Sequence, residues 1–239
     1  MCKMINSIAI ITARGGSKRI PRKNIKNFCG KPIIQYSIEA AINSEIFSEV
    51  MVSTDDEEIK ELSIQLGAKV PFMRSVKNSN DYAMTHEVLL EVIEEYEKLN
   101  KKYDYIACIY PTAPFITAEK IISCMEILHK EKVDSVIPVV PFSFPPQRGL
   151  LINNKKVVFN SPEIMYARSQ DLPVIYHDSG QFYCINTKRF LEEKKIIMDN
   201  TAPFILSELE VQDIDNDVDW KLAELKYRIL MEDDIGGGK

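Results

Sequence analysis

The sequence predicts an α/β protein built as a three-layer α/β/α, Rossmann-like, doubly wound and mostly parallel sheet with a small extended arm. Three observations carry this. The first strand candidate, Ile8-Ala9-Ile10-Ile11, is an unbroken apolar run without alternation, as in a parallel strand covered on both faces. Apolar or extended segments recur at 50–52, 70–74, 105–110 and 133–140, making five that alternate with four helical patterns. Finally, 239 residues at 45% hydrophobic and 27% charged content suit one large α/β domain, or a domain with a small appendage.

The formal net charge of −5, with the cations concentrated locally, argues against a nucleic-acid binder. Cys2, Cys29, Cys108, Cys124 and Cys184 are odd in number and far apart, with no metal or redox spacing. They read as reduced thiols of a cytoplasmic protein. No signal-peptide pattern or membrane-length apolar run is expected to direct the chain elsewhere.

The opening strand breaks at Gly15-Gly16, and Arg14, Lys18, Arg19, Arg22 and Lys23 crowd the same stretch with no acid among them. Glycine can take positive φ and lets a backbone approach a ligand closely. A glycine-rich turn with cations fits a phosphate cradle, where amide N–H groups and positive charges face the anion. A basic solvated loop is the competing reading. Position decides between them, because open α/β sheets bind ligands at the carboxyl ends of their strands. The spacing is that of neither a P-loop nor a Gly-x-Gly-x-x-Gly fingerprint. Pro21 delays the next helix, so the loop stays open over about ten residues.

The string Ala13-Arg14-Gly15-Gly16-Ser17-Lys18, followed by Pro21-Arg22-Lys23-Asn24, resembles the signature of the acylneuraminate-type cytidylyltransferases. These enzymes join CTP to a nine-carbon (nonulosonic) sugar acid and release pyrophosphate. The resemblance extends to about Trp220 and implies the nucleotide-diphospho-sugar transferase type of sheet. It further implies that Ala13, Arg14, Gly15, Gly16, Ser17, Lys18, Lys23 and Asn24 hold the nucleotide. Arg14, Lys18 and Lys23 would neutralise phosphates, and Asn24 would orient the nucleotide.

Beyond the cradle, Ile33, Ile34, Tyr36, Ile38, Ala41 and Ile42 form an amphipathic helical pattern with Pro32 at its start. The strand at 50–52 leads to Ser53-Thr54-Asp55-Asp56-Glu57-Glu58, where Thr54 or Asp55 is expected to cap the next helix. Gly67 is its expected stop. The extended segment 70–74 ends at Arg74, and a long helix follows over 84–99. On their own Arg74 reads as a salt-bridge partner and Thr85 as an N-cap. The resemblance implies instead that Arg74 serves the nucleoside, its guanidinium suiting the cytosine O2 and N3 acceptors, and that Thr85 lies near the ribose. The buried strand 105–110 precedes Pro111-Thr112-Ala113-Pro114-Phe115. Here Tyr110 stands where sialic-acid-activating relatives carry glutamine beside the nucleotide. Thr117 caps the next helix, and 133–140 is a strand.

Proline density at Pro141-Phe142-Ser143-Phe144-Pro145-Pro146 marks a departure from the sheet. The chain therefore divides into a nucleotide-binding core over 1–140, an arm over 141–176 with a hairpin turn at Asn153-Asn154, a return to the core over 177–235, and a disordered tail over 236–239. The resemblance implies that the arm exchanges between two subunits of a homodimer and helps close each site. A strand at 181–185 and a closing helix through Trp220, Leu222, Leu225 and Leu230 complete the core.

Asp213 and Asp215 are two apart, so in an extended segment both carboxylates face one side. Such a pair of hard ligands suits Mg²⁺ completed by triphosphate oxygens, or it simply caps the final helix, as read for Asp217 and Asp219. The family's Asp-Ile-Asp motif matches at Asp213-Ile214-Asp215 and implies the metal, making Asp215 catalytic with Arg14, Lys18 and Lys23. For the sugar, Arg168 and Gln170 with His177, Asp178 and Gln181 look like the branch that activates pseudaminic acid. Sialic and legionaminic acids are the alternatives, and a non-catalytic nucleotide-binding module is the alternative of another class.

Overall fold

The computed structural model describes residues 6–236, with side chains to residue 232. Cys2 and residues 237–239 of the expected tail lie outside the described residues, and Gly236 ends the last helix. The core begins with β1 (Ser7–Thr12), followed by the short hairpin β2 (Asn27–Phe28) and β3 (Lys31–Pro32). Next come α1 (Ile33–Asn43), β4 (Glu49–Ser53), α2 (Glu57–Gln65), α3 (Thr85–Lys98), β5 (Tyr105–Ile109), α4 (Ala118–Lys130) and β6 (Ser135–Pro141). The arm carries β7 (Leu150–Asn153) and β8 (Lys156–Phe159). The chain then completes β9 (Tyr176–Asp178), β10 (Phe182–Asn186), α5 (Thr187–Glu193), β11 (Thr201–Ile205) and α6 (Asp217–Gly236).

The sheet order is β11-β6-β10-β5-β1-β4, with β9 paired to the far end of β6. β4, β1, β5, β6 and β11 run parallel, while β10 and β9 oppose them. The sheet is thus mostly parallel and wound both ways from β1. Along β1, Ala9 and Ile11 pack with Ile38 of α1, Ile59 of α2 and Cys124 of α4 on one face. Ile8 and Ile10 pack with Leu89 and Val92 of α3 and Phe190 of α5 on the other. Each fully buried isoleucine contributes roughly 1.5–3 kcal/mol, so covering both faces rewards the unbroken apolar run.

Local details differ from expectation in four places. Segment 70–74 is no strand; it follows an isolated bridge between Lys69 and Met51 and returns to the end of β4 where the Arg74 amide donates to the Thr54 carbonyl at 2.8 Å. The cap of α2 is Asp56, whose carboxylate accepts from the Ile59 amide, because Asp55 is engaged by the Gly15 amide at 2.9 Å. The helix start at Thr85 is capped from Met84, with Glu87 reaching back to the Met84 amide. Within the arm the turn is at Asn154-Lys155, both left-handed (φ 50° and 62°), as a two-residue hairpin turn requires. Gly67 does end α2 at φ 93°, and Thr117 does cap α4.

A third cluster holds the cradle in place. Ile20, Phe28, Ile33, Phe115, Ile214, Trp220 and Ala223 pack together, with Phe28 edge-on to Trp220 at 5.6 Å. The final helix therefore clamps the loop that follows β1.

Candidate active site

Strand order places the site. From β1 the chain moves to β4 on one side and then to β5 on the other, so β1 and β5 form a topological switch point where a crevice opens at the carboxyl ends. A cavity of about 440 Å³ occupies it, lined by Thr12, Arg14, Ser17, Lys18, Lys23 and Asn24 from the cradle. Arg74, Ala83, Thr85, Val88, Tyr110, Pro111 and Thr112 close the other side. Thr12, Ala83, Val88, Pro111 and Thr112 were not singled out from the sequence.

Each cation of the cradle has a protein partner. Arg14 donates to Asp81 Oδ1 at 2.8 Å, and Lys18 pairs with the same carboxylate. Lys18 and then Arg14 hold the Asp81 carboxyl below its ordinary range. Asp81 is a missed residue; only its fold-given approach to both cations identifies it. Arg19 meets Asp215 at 2.6 Å. Arg22 grips Asp56 with two hydrogen bonds at 2.5 and 2.9 Å and also reaches Glu58, so it braces the loop and does not line the cavity. Lys23 is half-buried and donates to the Ile214 carbonyl at 2.7 Å; desolvation lowers its pKa despite Asp215 and Asp213 nearby.

The glycines work differently from the expectation of positive φ. In the cradle that conformation falls on Arg22 (φ 54°), while Gly15 and Gly16 avoid it. A Cβ on Gly15 would meet the Asp56 carboxylate at 2.7 Å, so close packing requires glycine there. A Cβ on Gly16 would meet nothing within 4 Å, which leaves its backbone open to a ligand. Ala13 is fully buried and its amide donates to Ser53, so it supports the loop from behind. Asn24 is 4% exposed and donates to the Arg14 carbonyl at 2.9 Å, closing the loop on itself while lining the cavity.

On the opposite wall Arg74 is 7% exposed, and burial pushes its pKa down to about 10. Its Nε donates to Ser53 Oγ at 3.0 Å and its Nη2 to the Ser53 carbonyl, with no carboxylate ion pair among the described residues. A buried guanidinium of this kind suits a neutral acceptor surface such as a nucleobase edge. Thr85 Oγ1 and the Tyr110 hydroxyl lie 2.9 Å apart.

The sugar-side candidates scatter. His177, with its ring against Phe142 at 4.7 Å, shares a smaller cleft of about 320 Å³ with Asp213. Asp178 follows His177 as the last residue of β9 and lines neither cavity. Arg168 and Gln170 are exposed on the arm, Arg168 pairing with Asp171 at 2.7 Å, and neither lines the nucleotide cavity or the smaller cleft. Gln181, placed on the sugar from the sequence, is 2% exposed and donates its amide to the Glu210 carbonyl at 2.6 Å; as placed, it braces the core.

Asp213 and Asp215 flank buried Ile214, whose carbonyl accepts from Lys23, and both carboxylates lie close enough to act on the Lys23 charge. Partial desolvation and then the Asp215 carboxylate push the Asp213 carboxyl up. That repulsion is what a divalent cation relieves, so the pair fits one. No third His, Cys, Asp or Glu joins them among the described residues, and further ligands would be substrate and water oxygens.

Comparison with known proteins agrees with this geometry. A family model described as cytidylyltransferase matches residues 8–223. The chain is 41% identical over 229 residues to a pseudaminic acid cytidylyltransferase of Campylobacter jejuni, covering 95% of this chain and 99% of the relative. It is 33% identical to a CMP-N,N'-diacetyllegionaminic acid synthase of Legionella pneumophila, covering 94% and 97%. Among solved structures, a CMP:2-keto-3-deoxy-manno-octonic acid synthetase complexed with CTP superposes with a TM-score of 0.68 at 19% identity, covering 95% and 99%, which is a likeness of fold. The cation-lined crevice at the switch point, with two carboxylates beside it, is that of a nucleotidyltransferase, and the chain belongs to the cytidylyltransferase family.

Proposed function

We propose that the protein couples CTP to pseudaminic acid, forming CMP-pseudaminic acid and pyrophosphate. Similarity over almost the whole length to pseudaminic acid cytidylyltransferase is the observation that carries the choice of sugar. The anomeric hydroxyl attacks the α-phosphorus in line, and pyrophosphate leaves. Such a displacement needs alignment and charge neutralisation more than covalent help. Arg14 and Lys18 exchange the Asp81 carboxylate for phosphate oxygens, and Lys23 stands between the phosphates and the aspartate pair. Arg74 reads the base, with Thr85 and Tyr110 along the nucleoside. Asp213 and Asp215 would hold Mg²⁺, which polarises the phosphoryl group and lowers the pKa of the attacking hydroxyl when bound.

The arm supports a homodimer. Among the described residues β7 and β8 pair only with each other, and Ile152 is 82% exposed. An isolated apolar hairpin is marginal in water and calls for a partner surface, which a second copy supplies. Arg168 and Gln170 on the arm would then serve the partner's sugar site.

The test is pyrophosphate release from CTP and Mg²⁺ with pseudaminic acid against N-acetylneuraminic acid at matched concentrations. Release with pseudaminic acid alone is expected. Release with the sialic acid instead would keep the reaction and overturn the sugar; release with neither would overturn the proposed reaction.

A further inference from the structure

One buried tyrosine lies between the two halves of the site. The Tyr183 hydroxyl donates to Asp178 Oδ2 at 2.6 Å, and the Gly180 amide donates to Asp178 Oδ1 at 2.8 Å. The Tyr183 ring packs edge-on against Tyr110, with centroids 5.6 Å apart and planes at 86°. Tyr110 in turn meets Thr85 across the nucleotide cavity. Asp178 itself is exposed. Exposed carboxylates ordinarily sample several rotamers, and fixing them on binding has an entropic cost. Here both oxygens are already held, by a backbone amide and a buried phenol, although the residue is exposed. Gly180 makes this possible, since the bend between β9 and β10 needs φ 64°.

We propose that Tyr183 is a positioning residue that presents Asp178, next in the chain to His177 of the smaller cleft, as a preorganised sugar-side acceptor and ties it to Tyr110 in the nucleotide cavity. The ligand groups such an acceptor selects are hydroxyl and amide N–H donors, as on an N-acylated, polyhydroxylated sugar acid. This rests on the proposed function for the identity of the sugar, but the anchoring itself does not. A structural brace alone would affect stability and leave substrate discrimination untouched.

The experiment compares wild type with Tyr183→Phe, Asp178→Asn and the double variant. Tyr183→Phe keeps the ring packing and removes one oxygen. Loss of a hydrogen bond to a charged group predicts a rise of roughly tenfold or more in KM for the sugar acid, with KM for CTP changed less than about twofold. The double variant should be no worse than Asp178→Asn, because the phenol acts through that carboxylate. Unchanged sugar KM in Tyr183→Phe, or fully additive effects in the double variant, would overturn the proposal. Crystal structures of wild type and Tyr183→Phe separate it from the choice of substrate. An Asp178 carboxylate that stays in place without the phenol overturns the positioning role, whereas a wild type inactive on nonulosonic acids overturns the proposed function.

Discussion

At the scale of single residues, charge pairing in the cradle decides how the nucleotide is received. Asp81 neutralises Arg14 and Lys18 together, so an incoming triphosphate competes with it. Asp81→Asn is expected to tighten CTP binding, and calorimetric titration checks it; weaker binding would mean that Asp81 holds the two cations in place. Arg74→Lys should raise the KM for CTP by roughly tenfold or more, since a lysine cannot keep the guanidinium fork on Ser53 and still face the cavity. At the metal candidate, Asp215→Asn should remove about 2.7–4 kcal/mol of transition-state stabilisation, read as a 10²–10³-fold loss in kcat with an unchanged melting temperature. Near-wild-type turnover at saturating Mg²⁺ would sink that role.

At the scale of elements, the sheet's two ends do different work. The carboxyl ends carry the cavity, whereas the amino end of β4 carries a buried charge cluster. Glu49, its side chain 4% exposed, accepts from the Tyr96 hydroxyl at 2.5 Å, Lys101 at 2.8 Å and Lys69 at 3.1 Å. Burial alone would raise its carboxyl pKa, but the bonds from Lys101, Tyr96 and Lys69 outweigh burial and hold it below the ordinary value. A depressed folded-state pKa means the stabilisation is complete above the unfolded value of about 4.3 and is lost as pH falls through the lower folded value. Glu49→Gln should therefore lower stability by about 1–3 kcal/mol at pH 7, and the gap to wild type should shrink below about pH 4. Denaturant melts across pH measure both; a constant gap down to pH 3 would contradict the sign.

At the scale of the whole molecule, the proposed dimer is tested at the arm. Ile152 and Val157 face each other across the hairpin and are exposed. Placing aspartate at both positions should convert the expected dimer to monomer without unfolding the core, as sedimentation and circular dichroism would report. A variant that sediments as wild type would place the interface elsewhere.

The sequence by itself determined the strands β1, β4, β5, β6 and β10 and where the candidate site falls, but it offered 70–74 as a strand that does not form and gave no sign of β11. Unbroken apolar runs are stable only as strands covered on both faces, and a cation-rich glycine turn after the first of them must lie at a carboxyl end. Tertiary structure alone decided how the polar groups are shared. Thr54, Asp55 and Asp56 are equivalent caps by type, and only the approach of Gly15 and Arg22 assigns Asp55 to the loop and Asp56 to the helix. Asp81, 63 residues from Lys18, carries no local signature of its role. Gln181, just before β10, and Tyr183 within it are two apart, yet one braces the core through Glu210 and the other holds Asp178. Hydrophobic pattern is a property of a segment and can be read along the chain. A hydrogen-bond partner is a property of the folded neighbourhood, set by which distant segment the packing brings within 3 Å.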